Sequence, residues 1–129
     1  MPPNSITSLS SKYSVIETLD RLEKILTAKG ITIFTRIDQQ AEAKKVGLRL
    51  LPLEFLLFGN PKAGTPIMEA EPLAALDLPL KAIAWEDKDG QVWLSSNNAE
   101  YIIARFSLPD SLLKNISIGP LMEQAAKGS

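Results

Sequence analysis

The chain has 129 residues, 45% apolar and 22% charged, and its 14 basic and 15 acidic side chains leave a net charge of −1. That length suits one domain able to bury about two-thirds of its unfolded surface, and the charge balance gives no electrostatic reason to expect nucleic acid or an anionic membrane surface. Cysteine and histidine are both absent, so this chain cannot itself build a disulfide, a thiolate nucleophile, a cysteine- or histidine-bound metal or a Ser-His-Asp device.

The remaining acid–base groups are carboxylates, lysines and two tyrosines, each of which needs a large pKa shift to work near neutral pH. The opening Met1-Pro2-Pro3-Asn4 has no basic segment leading into an apolar core, as a signal peptide would. No run approaches the ~20 apolar residues of a spanning helix. A cytoplasmic location is the expectation.

Residues 5–11 (SITSLSS) predict a polar first strand at a sheet edge. Ser14 and Glu17 form a capping box that opens a helix, with Val15, Ile16, Leu19, Leu22, Ile25 and Leu26 in an apolar stripe. Gly30 stands where a left-handed cap ends it. Ile31 to Ile37 alternates, which places Ile31, Ile33 and Ile37 on one face and Thr32, Phe34 and Arg36 on the other. Asp38 caps a short, weakly apolar surface helix through Lys45, closed by Gly47.

The organising stretch runs from Leu50 to Pro66, LLPLEFLLFGNPKAGTP. Leu53, Phe55 and Leu57 point one way in a strand, and Leu56 and Phe58 the other. Both faces are apolar, so both need cover: helices of the same chain on one side, a second copy on the other. Thr65-Pro66 reads as the next helix start, with threonine as cap and proline at the first position. Pro72 to Asp77 forms a short turn or helix, and Lys81 to Asp87 a strand.

Asp89-Gly90 signals a two-residue hairpin to the strand Gln91–Asn97. That loop would pair Trp85 with Leu94 and Ala84 with Ser95. Ile83, Trp85, Val92 and Leu94 would then lie under the helices, and Ala82, Ala84 and Trp93 on a flat docking face. Asn98 caps a helix bearing Ile102, Ile103 and Phe106. Pro109 interrupts the pattern, Leu112, Leu113 and Ile116 continue it, and Gly119-Pro120 breaks it before Leu121, Met122 and Ala125.

Two features stand out as ligand sites. Gly59-Asn60-Pro61-Lys62, at the end of a buried strand, offers backbone amides, the Asn60 amide and the Lys62 cation to a carboxylate or phosphate. The competing reading is a rigid turn in which Asn60 bonds its own backbone. It is not a phosphate-binding P-loop, because no Gly-Lys-Ser/Thr end follows. Lys81 is the second, either snorkelling to the rim or paired with Asp77 or Glu54. The close carboxylates Glu69/Glu71 and Asp87/Asp89 fit a solvated helix and a hairpin tip, not a calcium loop.

Three segments together resemble domain-of-unknown-function family 302: Phe58-Gly59-Asn60-Pro61, then Leu76-Asp77-Leu78-Pro79-Leu80-Lys81, then Trp85-Glu86-Asp87 with Gly90-Gln91-Val92-Trp93. The likeness covers roughly 13–97. It implies a TATA-binding-protein-like α+β fold: a two-layer sandwich of mostly antiparallel sheet with helices on one face, commonly homodimeric, with no established activity. The expected organisation is one domain over 1–129, with an N-terminal arm and edge strand (1–12), the family-like core (13–97) and a helical C-terminal segment (98–129).

The expected function is a non-catalytic, dimeric small-ligand binding or sensing module. Its site is drawn from Gly59, Asn60, Lys62, Asp77 and Lys81, with no cofactor, no metal and no nucleic-acid or membrane partner. The alternatives are a structural or protein-interaction module docking through the exposed sheet face, and an enzyme using Lys81 or a carboxylate pair.

Overall fold

A computed structural model describes residues 5–128. Among them, β1 (Ile6–Ser11), β2 (Thr32–Asp38), β3 (Leu53–Gly59), β4 (Leu80–Glu86) and β5 (Val92–Asn97) form one antiparallel sheet in the order β1-β5-β4-β3-β2. The helices are α1 (Val15–Ala28), α2 (Gln39–Lys45), α3 (Pro61–Ala70), α4 (Ala99–Arg105) and α5 (Gly119–Lys127), with 3-10 turns at Pro72–Leu76 and Asp110–Asn115. The result is the predicted two-layer α+β sandwich.

The main core lies between one sheet face and the α1/α5 pair. Ser14 Oγ accepts from the Glu17 amide at 3.1 Å, which starts α1 as its sequence predicts. Val15, Leu19, Leu22 and Leu26 then bury against Leu56, Phe58, Ala82, Ala84 and Leu94, each large side chain stabilising by about 1.5–3 kcal/mol. Arg21 of α1 donates to the Ala125 and Gln124 carbonyls at 2.9 and 3.1 Å, closing the C-terminal end of α5. A second core, at the end of the sheet where β3 leaves and β4 enters, joins Ile67, Ala74, Ile102, Ile103, Leu108 and Ile116. Leu80 packs against both.

The central strand is two-faced, as expected. Leu56 and Phe58 are fully buried under the helices. Leu53, Phe55 and Leu57 point the other way, half-buried and outside both core clusters.

Three expectations are corrected. The β4–β5 turn is a three-residue connection, Lys88-Asp89-Gly90, so Trp85 faces Trp93 and Ala84 faces Leu94. The Asp87 carboxylate decides this: its Oδ1 accepts from the Asp89 and Gln91 amides, both at 2.9 Å, while Gly90 takes the left-handed conformation (φ 84°). One extra loop residue turns each β5 side chain to the other face relative to β4. Ala82 and Ala84 therefore lie buried under the helices, and Trp85 and Trp93 share the opposite face.

In β2, the register shifts between Ile33 and Thr35, leaving Phe34 as a bulge. Ile33 and Arg36 then lie on the helix side together, against the simple alternation. Finally, α3 starts at Pro61 with Asn60 as its cap, and Pro66 lies inside the helix instead of opening it. Asn-Pro is as good a start as Thr-Pro and comes first in the chain.

Candidate functional site

The five candidate residues fall in three places. Gly59 ends β3, and Asn60 Oδ1 accepts from the Lys62 amide at 3.0 Å, capping α3. Gly59 and Asn60 line a pocket of about 150 Å³ with Phe34, Met68, Leu78 and Pro79. Lys62 is exposed beside that pocket and does not line it. Asp77 is buried and accepts from Arg105 Nη1 at 2.8 Å, tying the turn before β4 to α4. Lys81 lies on the sheet face opposite the helices. Among the described residues, Asn60 and Lys81 line separate cavities, and Glu54 pairs with Arg36 instead of Lys81.

A more apolar concavity lies elsewhere. A groove of about 640 Å³ runs over β1, β5 and β4 on the open sheet face, a volume within the usual range for a small-molecule site. Its floor is Ile6, Ile83, Trp85 and Trp93, with Ser8 and Ser95 between strands and Lys81 at one end. Both tryptophans of the chain are here, with ring centroids 6.3 Å apart and planes inclined by 26°.

Hydrogen bonds lock this floor. Trp85 Nε1 donates to Ser95 Oγ at 2.9 Å, and the Ser95 and Ser8 hydroxyls share a 2.7 Å bond across β5 and β1. Trp93 Nε1 donates to Asp87 Oδ2 at 2.9 Å. Both indole N–H groups are therefore satisfied inside the face, and the surface offered outward is π-system and aliphatic. Lys81 is exposed and makes no hydrogen bond or ion pair among the described residues. Four positions separate it from Trp85 along β4, or about 13 Å.

Asp87 is the titratable group in this lining whose pKa is visibly displaced. The Trp93 indole N–H, then the Gln91 and Asp89 amides, hold its carboxyl below the ordinary value by bonding the charged form. Among the described residues, no group of three or more acidic side chains is gathered to hold a metal ion. Sequence reasoning missed the groove because an off-by-one hairpin put the two tryptophans on opposite faces. The signal that finds it is Asp87, placed to cap a three-residue turn.

A family model described as "Domain of unknown function DUF302" matches residues 7–125. The chain belongs to the DUF302 family. The match extends beyond 13–97 at both ends, taking in β1, which pairs with β5, and most of α5, which packs on α1. A DUF302 crystal structure from Bacillus stearothermophilus, described as an uncharacterized conserved protein, superposes with a TM-score of 0.80 over 97% of this chain and 98% of that one, at 16% identity. At that identity the likeness establishes the fold alone.

Two sequence relatives are 41% identical over 105 residues, or 81% of this chain. Both are named "Fluoride-specific ion channel FluC 1", one from Brucella suis and one from Brucella abortus. This DUF302 chain spans 41% and 39% of their respective lengths. Among its described residues, no helix is long and apolar enough to cross a membrane.

Proposed function

We propose that the chain is a non-catalytic small-ligand binding module, acting as a homodimer, whose working site is the groove on the open sheet face. The observation that carries this reading is the locked Trp85/Trp93 floor with the unpaired Lys81 at its end, its backbone about 13 Å from that of Trp85 along β4. An apolar floor with one cation at its end suits an elongated apolar or aromatic molecule bearing a carboxylate or similar anionic end. Because the indoles are already fixed by Ser95 and Asp87, little side-chain ordering opposes binding. Of the five sequence candidates, Lys81 is the one in this site. The pocket at Gly59 and Asn60 is several times smaller and holds no charged group.

The channel named in the Brucella relatives belongs, on this reading, to the part of those proteins that this chain does not match. The matched part is an accessory module that binds a ligand of its own. The homodimer rests on Leu53, Phe55 and Leu57, which extend the apolar face past the groove and favour a second copy there. A protein-interaction module docking through the same face is the second reading, favoured by the same surface.

Both tryptophans line the groove, so intrinsic fluorescence reports its occupancy. Titration with a series of aromatic and aliphatic carboxylates should quench or shift the emission, and Lys81→Met should weaken binding about tenfold. Equal affinity in Lys81→Met removes the anionic end from the proposal; no response to any carboxylate in the series sinks ligand binding and leaves the docking reading. Sedimentation of Phe55→Asp tests the dimer, which should dissociate; a profile equal to wild type counts against it.

A further inference from the structure

A different surface carries an inference independent of the groove. Residues 44–51, joining the end of α2 to β3, are eight consecutive exposed positions. Val46, Leu48, Leu50 and Leu51 are 72%, 65%, 42% and 48% exposed. Single exposed aliphatic residues are ordinary, but four within six positions form a patch. Lys44 and Arg49 are interleaved with them and make no ion pair among the described residues. The nearest carboxylates are already engaged: Glu42 pairs with Lys45 at 2.7 Å, and Asp38 caps α2 through the Ala41 amide at 2.9 Å.

The segment is built to stay out. Gly47, in the left-handed conformation (φ 77°), closes α2: its amide bonds the Lys44 carbonyl at 3.1 Å, and the Leu48 amide bonds that of Ala43 at 3.0 Å. Gln40 Nε2 holds the Leu50 carbonyl at 3.1 Å, and the Glu86 amide holds Pro52 at 3.0 Å. The backbone is held at both ends, and Leu48, Leu50 and Leu51 line a shallow concavity with Lys44, Arg49, Asp38 and Gln40.

We propose that this tip is a membrane-surface contact: Val46, Leu48, Leu50 and Leu51 enter the headgroup–acyl boundary of an anionic bilayer while Lys44 and Arg49 meet its phosphates. An exposed loop alternating cationic and aliphatic residues matches that interface, in which charge and apolar depth lie a few ångströms apart. A protein partner fits less well, since lysine is depleted from the centres of protein interfaces. The whole-chain charge of −1 hides the site: residues 43–51 contain three basic side chains and no acidic one, and with Lys45 paired to Glu42 the cations left to a partner are Lys44 and Arg49, with Asp38 in the same lining.

The test is flotation of the full chain with vesicles of phosphatidylcholine containing phosphatidylglycerol, against phosphatidylcholine alone. Wild type should float with the anionic vesicles, less so in high salt. Val46→Ser with Leu48→Ser, and separately Lys44→Glu with Arg49→Glu, should each cut the bound fraction about tenfold with melting unchanged. Lys29→Glu with Lys114→Glu, an equal charge change at distant sites, should float as wild type does. The proposal is overturned if wild type does not float, if the tip variants float equally, if the distant variant loses as much, or if the tip variants instead change the sedimenting mass, which would make the loop a contact between copies.

Discussion

Trp85 and Trp93 stand directly opposite each other across the β4–β5 ladder, and each indole N–H is bonded within the same sheet face. The Asp87 carboxylate binds Trp93 through one oxygen and the hairpin amides through the other. The shape of the turn and the position of an aromatic ring in the groove thus depend on a single ionised group.

That dependence has a sign. Asp87 is held below its ordinary pKa of 3.8, so its contribution is fully present above the unfolded value and is lost as pH falls through the lower, folded one. Tryptophan emission should be flat from neutral pH to about 4 and change below it. Asp87→Asn should remove that step. A step of the same midpoint in Asp87→Asn assigns the acid sensitivity to another group.

Asn60→Ala should cost about 1 kcal/mol, the usual value of a helix cap, since its one bond of this kind is to the Lys62 amide. Thermal melting gives the loss. Carboxylate titration of the same variant should match wild type, because Asn60 lies outside the groove. A binding defect without a melting defect would return the site to the β3–α3 turn.

Arg36 bonds Asp20, Glu23 and Glu54 at 2.7, 3.1 and 2.8 Å, and the Ile16 carbonyl at 3.2 Å. Glu54 is 7% exposed, so Arg36→Leu leaves a buried carboxylate without its cation. The expected loss is about 2–3 kcal/mol, below that of a fully buried pair because Arg36 keeps some contact with water. Denaturant unfolding measures it. Pairing Glu54→Gln with Arg36→Leu should recover part of it, and strict additivity would show that the two side chains do not interact.

The sidedness of β3 is testable at adjacent positions. Leu56→Ala empties a fully buried site under α1 and should cost about 3–4 kcal/mol, whereas Leu57→Ala, on the half-buried open face, should cost about 1 kcal/mol. Equal losses in unfolding experiments at low protein concentration would mean that the open face is covered within a single chain.

The readable parts of the sequence were those governed by local chemistry. Ser14 and Gly30 bounded α1, Asp38 and Gly47 bounded α2, and the apolar run of β3 marked the central strand, because caps and periodicity act over a few residues. The face of each strand was harder, since one unpaired residue reverses it. Asp87 lengthened the hairpin by one, and Phe34 lengthened β2 by one. Those two residues account for the misplaced tryptophans and for Arg36. The grouping of Asp77 with Lys81 failed for a related reason: the chain distance between them is short, but Asp77 turns inward to Arg105 while Lys81 rises on the far face. Arg105 comes 28 positions after Asp77, and nothing local announces it.

The extra residue in β2 also fixes where a charge resides. Were β2 to pair without the bulge, its unchanged sequence alternating strictly from Ile33, Arg36 would emerge on the side of the tryptophans. The acidic trio would lose its counter-ion, and a second cation would stand on the sheet face that carries Lys81. Deleting Phe34, by contrast, sets Arg36 two places after Ile33 and leaves it with the helices; the irregular pairing of an edge strand is what keeps positive charge in the helix layer and off the groove.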